Sequence, residues 1–68
     1  MTLQVNGEPT QVAVGTRVLD VLALQGLSSG SRGIAVAVNG EVVPRQEWDE
    51  HPHDDGDAVE VLVAVQGG

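Results

Sequence analysis

The sequence predicts an α+β fold, in which a mixed sheet of four to five strands wraps around one main helix. Two Asn-Gly dipeptides, Asn6-Gly7 and Asn39-Gly40, stand between short apolar segments, a pattern typical of tight β-hairpin turns. One stretch, from about Arg17 to Gln25, has apolar residues at helical spacing. The alternating segment from Ala58 to Val65 predicts a closing strand.

The first part of the chain predicts a β-hairpin followed by the helix. Leu3 to Val5 and Gln11 to Val14 are the strands expected around the first Asn-Gly turn. Thr16 is the expected N-cap, because its hydroxyl can accept a hydrogen bond from an unpaired backbone N–H of the first turn. Gly26 suits the end of the helix. The helical face expected to be buried carries Val18, Leu19, Leu22 and Ala23.

The middle of the chain predicts a connector and a second pair of strands. Ser28 to Gly33 consists of small polar residues and glycines, so we expect a flexible linker. Ile34 to Val38 is a continuous apolar run of strand length, and its Ala35 and Ala37 are expected to leave room for the helix. Val42-Val43 predicts a brief partner strand.

The last part predicts one helical turn, a tight turn and the closing strand. Arg45 to Asp49 is expected to form the helical turn, in which Trp48 packs as the one large aromatic of the core. Asp55-Gly56 marks the tight turn. Alternation divides the closing strand into a core face of Val59, Val61 and Val63 and an opposite face of Glu60, Leu62 and Ala64.

Composition and charge exclude several classes of function. The formal net charge is −7, with three arginines and no lysine, so nucleic acid is not an expected partner. The same charge favours association with basic protein surfaces. The chain has no cysteine, which rules out disulfides and thiolate metal sites. With no apolar run long enough to span a bilayer and no signal-peptide pattern, we expect no membrane contact and a cytoplasmic location.

No side-chain cluster predicts a metal site or a catalytic centre. The segment around the Asp55-Gly56 turn contains several potential metal ligands, but they lack the spacing of known metal sites. We therefore expect them to be solvated loop residues that bind no metal. These residues are His51, His53, Asp54, Asp55 and Asp57. No Ser-His-Asp, Cys-His or paired-carboxylate arrangement can be proposed, so we expect no catalytic residue.

The end of the sequence is its most informative part chemically. We expect a domain over residues 1–65 and a flexible reactive tail over residues 66–68, ending in the α-carboxylate of Gly68. Such a carboxylate has a pKa of about 3.3–3.7, so it is an anion at neutral pH and must be activated before it reacts as an acyl donor. Gly67 and Gly68 lack Cβ atoms and, with Gln66, are expected to thread a narrow enzyme channel.

Several separated motifs give the chain a resemblance to one family. They are Gly15-Thr16, Ala37 to Gly40, Val43 to Trp48, Asp55 to Asp57 and the terminal Gly67-Gly68. In this order they resemble the ThiS family, the sulfur carrier proteins of thiamine biosynthesis, over essentially the whole chain. The order of the elements also resembles the β-grasp of ubiquitin-like proteins, where the last strand is central and parallel to the first.

The resemblance implies a carrier that acts as a co-substrate and not as an enzyme. An activating enzyme would use ATP to adenylate Gly68, and a persulfide or sulfide source would then convert it into a thiocarboxylate. A thiazole synthase would take the sulfur for the thiazole ring of thiamine. The carrier itself is expected to bind no cofactor, since the ATP belongs to the activating enzyme. Leu62 and Ala64 are the expected docking residues, because ubiquitin-like proteins use that sheet face for partners.

Two alternatives remain open at this point. The first keeps the chemistry and changes the recipient, as in a carrier resembling the small subunit of molybdopterin synthase or one that serves cysteine synthesis. The second is a non-catalytic β-grasp interaction module whose tail carries nothing. The identity of the synthase that consumes the thiocarboxylate separates the first from the thiazole carrier. The intact mass after incubation with an activating enzyme, ATP and sulfur separates the second.

Overall fold

Five strands form one mixed sheet in the computed structural model, which describes residues 1–64. The elements are β1 (Thr2–Val5), β2 (Glu8–Gln11), α1 (Val18–Leu24), β3 (Ile34–Val38), β4 (Glu41–Val42), a 3-10 helix (Arg45–Glu47) and β5 (Ala58–Val63). The sheet order is β2-β1-β5-β3-β4. Strand β5 is central, parallel to β1 and antiparallel to β3. The predicted topology of the sheet is therefore confirmed.

The first hairpin is tighter than the sequence predicted. Asn6 and Gly7 both have positive φ, 50° and 83°, and form a two-residue turn, so β2 begins directly after it. The prediction of a strand at Gln11 to Val14 was wrong, and Val14 is 88% exposed. Pro9 hid the strand from pattern reasoning, because proline normally breaks a ladder. Strand β2 is an edge of the sheet, however, where a missing N–H is tolerated.

The N-cap of α1 is Arg17 and not Thr16. The Thr16 hydroxyl donates instead to the backbone carbonyl of Ala13 at 2.7 Å. The backbone N–H groups of Val18 and Leu19 donate to carbonyls of the segment after the 3-10 helix, at 3.0 and 2.9 Å. Backbone acceptors from a distant part of the chain thus satisfy donors that the predicted cap would have served. The predicted stop is confirmed, since Gly26 has a φ of 76° directly after the helix.

The buried face of α1 differs in part from the predicted one. Val18 and Leu22 are buried as expected, and Leu19 packs at the edge of the core. Val21 takes the place that was predicted for Ala23, which is exposed. With seven residues the helix makes only two turns, so two or three inward positions are all that it offers.

The two faces of β3 are the reverse of the prediction. Val36 and Val38 enter the core, whereas Ala35 is exposed and Ala37 is half-buried on the outer face. In a continuous apolar run the period of two does not say which set of side chains faces inward. Pairing with β5 decides it, because Val36 lies opposite the buried Val61. Larger side chains therefore meet the helix, and the alanines do not.

Trp48 is the largest side chain in the core, as predicted. It is 2% exposed, and its indole Nε1–H donates to the backbone carbonyl of Val43 at 3.0 Å. Val63, expected in the core, is 53% exposed, because it is the last residue of β5 and lies beyond the buried cluster. Among residues 1–64, no helix has the length and apolarity required to cross a membrane. The buried cluster comprises Leu3, Val5, Val18, Val21, Leu22, Val36, Val38, Val43, Trp48, Val59 and Val61.

Candidate functional site

The candidate site begins where the central strand ends. The N–H of Ala64 donates to the carbonyl of Gly33 at 2.7 Å, which is the last hydrogen bond of the sheet in the described part of the chain. The predicted attachment residue Gly68 lies outside the described residues, as do Gly67 and Gln66. What the structure describes is therefore the body over residues 1–64, which precedes them in the chain.

Strand β5 is fixed by two asparagine side chains as well as by its neighbours. The Asn39 Oδ1 accepts a hydrogen bond from the N–H of Ala58 at 3.0 Å. The Asn6 Oδ1 accepts from the N–H of Val61 at 2.8 Å, and its Nδ2 donates to the carbonyl of the same residue at 3.3 Å. Backbone pairing with β1 ends where the hairpin turns away, so the Asn6 side chain continues it. Sequence reasoning used both residues only as turn formers.

An apolar surface lies on the outer face of the sheet, beside the candidate site. Leu62 is 61% exposed and Val42 is 73% exposed, and the register places Ala35 opposite Leu62 and Ala37 opposite Val42. We call these four residues the outer patch. Ala64, also exposed, follows on the same face of the chain as Leu62. Leu62 and Ala64 thus face away from the core as expected, and their role in docking remains a prediction.

The segment before β3 makes more hydrogen bonds than its composition indicated. The N–H of Ser28 donates to the hydroxyl of Ser31 at 3.0 Å, and the N–H of Ser31 donates back to the Ser28 carbonyl at 3.0 Å. The Arg45 guanidinium donates to the carbonyl of Ser29 and lies 4.7 Å from the centre of the Trp48 ring. The prediction of a flexible linker did not include the contact between Arg45 and Ser29, because no local pattern connects Arg45 to a loop sixteen residues earlier.

The acidic turn before β5 joins distant parts of the chain, while Asp54 and Asp55 stay exposed as expected. The Asp55 carboxylate accepts from the N–H of Thr2 at 2.7 Å. The Asp57 carboxylate accepts from the Asn39 amide at 3.0 Å and from the N–H of Asp54 at 2.9 Å. These residues close the loop onto both strands that flank β5. Within residues 1–64 no group of three or more His, Cys, Asp or Glu side chains is placed to hold a metal ion.

Comparison with known proteins decides the family. The sequence model of the ThiS family matches residues 3–68. The chain belongs to the ThiS family. It is 32% identical over 68 residues to the sulfur carrier protein ThiS of Escherichia coli strain K12, and the alignment covers all of both chains.

Solved structures support the same assignment. The crystal structure of the thiamine biosynthesis protein ThiS from Geobacter metallireducens superposes with a TM-score of 0.79 at 37% identity, covering all of both chains. An NMR solution structure of a thiamine biosynthesis protein from the same organism gives a TM-score of 0.79 and 37% identity, covering 88% of that chain. The fold of this ThiS-family chain is thus the β-grasp, and family membership makes it a carrier and not an enzyme.

His53 is the residue of this ThiS-family chain that departs most from its expected environment. It was expected in a solvated loop, yet it is 6% exposed, and neither ring nitrogen has a hydrogen-bond partner in the described structure. Its Nδ1 lies 3.7 Å from the Asp57 Oδ2, which is too long for a hydrogen bond. Its backbone N–H donates to the Thr16 carbonyl at 3.2 Å, next to the start of α1. This backbone hydrogen bond places His53 beside α1, where its ring is buried. The polar sequence around His53 did not indicate this burial.

Burial and neighbouring charges shift the titration of this pair. Desolvation lowers the pKa of His53 below 6.5 and His51 lowers it further, although Asp57 and Asp54 oppose the shift. For Asp57, desolvation raises the pKa, but the hydrogen bonds from Asp54 and Asn39 and the proximity of His53 outweigh it and hold the pKa below its ordinary value. The structure therefore favours a neutral His53 beside an ionised Asp57.

The pH dependence of folding follows from the buried His53. Since its pKa is lower in the folded state, the unfolded chain binds a proton more readily, and stability falls as pH falls. The stability associated with neutral His53 is complete above pH 6.5. It is lost as pH falls through the folded pKa of His53, by at most about 1.4 kcal/mol per pH unit. Urea unfolding followed at several values from about pH 7 to 5 should show this decline.

Two variants assign the decline to one residue. His53→Leu replaces the buried ring with an apolar side chain, so its free energy of unfolding should be nearly constant over this range. His51→Gln, a change at the half-buried neighbouring ring, should keep the decline. An undiminished decline in His53→Leu would show that another group is responsible.

Proposed function

We propose that the chain is the sulfur carrier of thiazole formation in thiamine biosynthesis, and that it acts in the cytoplasm through the carboxylate of Gly68. The observation that carries the proposal is the family match, which extends to residue 68 and includes the Gly-Gly end. The body over residues 1–64 supports it, because the last strand is the central one and continues directly into the tail.

The proposed reaction begins with activation of the carboxylate. In the active site of a partner enzyme, a Gly68 carboxylate oxygen attacks the α-phosphorus of ATP and pyrophosphate leaves. The product is an acyl adenylate, which turns a poor electrophile into a good one. A sulfide-level nucleophile then attacks the acyl carbon, and AMP leaves with the electrons of the carbon–oxygen bond. The resulting thiocarboxylate delivers its sulfur to the thiazole precursor held by a thiazole synthase, and an oxygen from water replaces the sulfur on the acyl carbon, which returns the carrier to a carboxylate.

The geometry of the chain sets the reach of this end group. From Ala64, four residues can extend at most about 14 Å, at about 3.3–3.6 Å per residue. The partner must therefore place its reactive centre within that distance of the end of β5, and the folded body must dock at the channel mouth. Gln66 and Gly67 would pass through the channel, where a backbone without a Cβ atom at the last two positions avoids steric conflict.

The outer patch and the acidic surface next to it fit a partner with an apolar and basic face. Leu62 and Ala64 lie immediately before the tail, so contact there brings the carboxylate to the channel. Glu60 shares this face, and a groove of about 730 Å³ beside Val42 includes four acidic residues in its lining, Glu41, Glu47, Asp54 and Asp57. Basic groups of a partner would be attracted to this surface, and the association rate would fall with increasing salt.

Intact mass spectrometry tests the chemistry directly. The chain is incubated with a ThiS-activating enzyme, ATP and sulfide, and its mass should increase by the difference between sulfur and oxygen. A variant that lacks Gly68 should remain unchanged, because its last residue would end one residue short of the reactive centre. Reactions without ATP should leave both proteins unchanged.

An unmodified parent chain in the complete mixture would contradict the proposal and would favour an interaction module. Equal conversion of the parent and of the shortened variant would also contradict it, since the reaction would then not depend on the end that the family match includes.

Docking through the outer patch is tested by a substitution at Leu62. Leu62→Ser should raise the KM of the activating enzyme for the carrier by about tenfold with little change in kcat, because part of a leucine side chain loses its burial at the interface. The matched control is Val14→Ser, which alters an aliphatic side chain that is 88% exposed and lies outside the outer patch. Pyrophosphate release measures both. Equal KM values for the two variants would place the docking surface elsewhere.

A further inference from the structure

Gly33 differs from the other described glycines with a positive φ. Its φ is +69°, and a Cβ built there would lie 3.3 Å from the Ala64 Cβ and 3.5 Å from the Ala64 carbonyl oxygen. At Gly40, where φ is +84°, such a Cβ would meet nothing within 4 Å. The same holds for the remaining glycines of this kind, Gly7, Gly15, Gly26 and Gly56. Close approach at Gly33 thus concerns one residue, the last described residue before the tail.

Gly33 lies between a hydrogen-bonded loop and strand β3, and its carbonyl accepts from the N–H of Ala64 at 2.7 Å. It follows the segment in which the Arg45 guanidinium binds the Ser29 carbonyl and stacks on the buried Trp48. It precedes Ile34, which pairs with Val63 and packs at the edge of the core. Ala64 is the first residue after β5. A side chain at position 33 would require a shift of a few tenths of an ångström between the two residues, which changes the position of Ala64 relative to Gly33.

We propose that Gly33 is a positioning residue for the reactive tail, because the absence of a side chain there sets where Ala64 lies and in which direction the chain leaves the sheet. The inference rests on the proposed carrier function and adds a residue outside the tail and the outer patch. Ala64 is four residues before Gly68, so its position sets the point from which the chain must reach the reactive centre of the partner. Reactions that depend on alignment are sensitive to it, since a misplacement of about 1 Å can cost about 100-fold in rate.

Kinetics of adenylation test the role of Gly33. Gly33→Ala should lower kcat of the activating enzyme for the carrier by about tenfold or more and leave KM within about twofold, because docking through the outer patch is retained while the carboxylate is misaligned. Gly40→Ala is the matched control, since it introduces the same kind of backbone strain at a positive φ in open space. Both should lose a similar amount of stability, but only Gly33→Ala should lose kcat.

A compensating change separates contact from strain. In Gly33→Ala combined with Ala64→Gly, the strain at position 33 remains but the Cβ that it would meet is gone. Compared with Ala64→Gly alone, which shares any effect of losing this docking side chain, the double variant should have nearly the same kcat, while the loss of stability from the strain at position 33 remains. If Gly33→Ala does not fold, Gly33→Asn replaces it against Gly40→Asn, because asparagine tolerates a positive φ better than alanine.

Three outcomes would overturn the inference. They are an unchanged kcat in Gly33→Ala, an equal loss of kcat in Gly40→Ala, and no recovery in the double variant. Amide chemical shifts measured without any enzyme provide a second readout, in which Gly33→Ala should perturb Ala64 and the residues after it while Gly40→Ala should not. If these shifts behave as expected but the parent chain is not adenylated, the carrier function fails and the role of Gly33 in it fails with it. If the parent is adenylated normally, the kinetic comparison tests Gly33 alone.

Discussion

Pairing of the last strand with both β1 and β3 is the constraint on which the rest of the structure depends. Parallel pairing with β1 requires a long crossover, and α1 with β3 and β4 supplies it. Because β5 is central, both of its edges are occupied before the chain reaches Ala64. The helix covers its inner face and leaves Leu62 on the outer one. The strand that leads to the end of the chain is therefore the one with a neighbouring strand on each side.

The hairpin turns and the end of the helix were predictable because their signals are local, whereas the order of the strands came from the resemblance to ubiquitin-like proteins. Each Asn-Gly dipeptide adopts the positive φ angles that a two-residue turn needs, and Gly26 ends the helix. The errors arose where a distant partner decides the outcome. Carbonyls after the 3-10 helix, and not Thr16, serve the start of α1. Pairing with β5 places Ala35 and Ala37 outside, although the run itself had no preferred face. Pro9 is acceptable only because β2 is an edge strand.

The candidate site divides along the same line. The outward direction of Leu62 and Ala64 followed from alternation along one strand, whereas Gly68 lies outside the described residues and its role stays a prediction. Gly33 and Arg45 could not be found in that way, since their significance lies in contacts with Ala64 and with Ser29 and Trp48. Arg45 joins the largest core side chain to the loop before β3, and Gly33 contacts the last described residue before the tail.

The central claim is that the folded body presents a terminal carboxylate that becomes a sulfur store. Its most direct test is mass spectrometry of the native protein, isolated from its own cells during growth without thiamine. The undigested protein is fragmented in the spectrometer so that any mass change can be located. The account predicts a population heavier by the difference between sulfur and oxygen, with the change located at Gly68. A homogeneous population carrying an ordinary carboxylate, or a modification at any other residue, would contradict it.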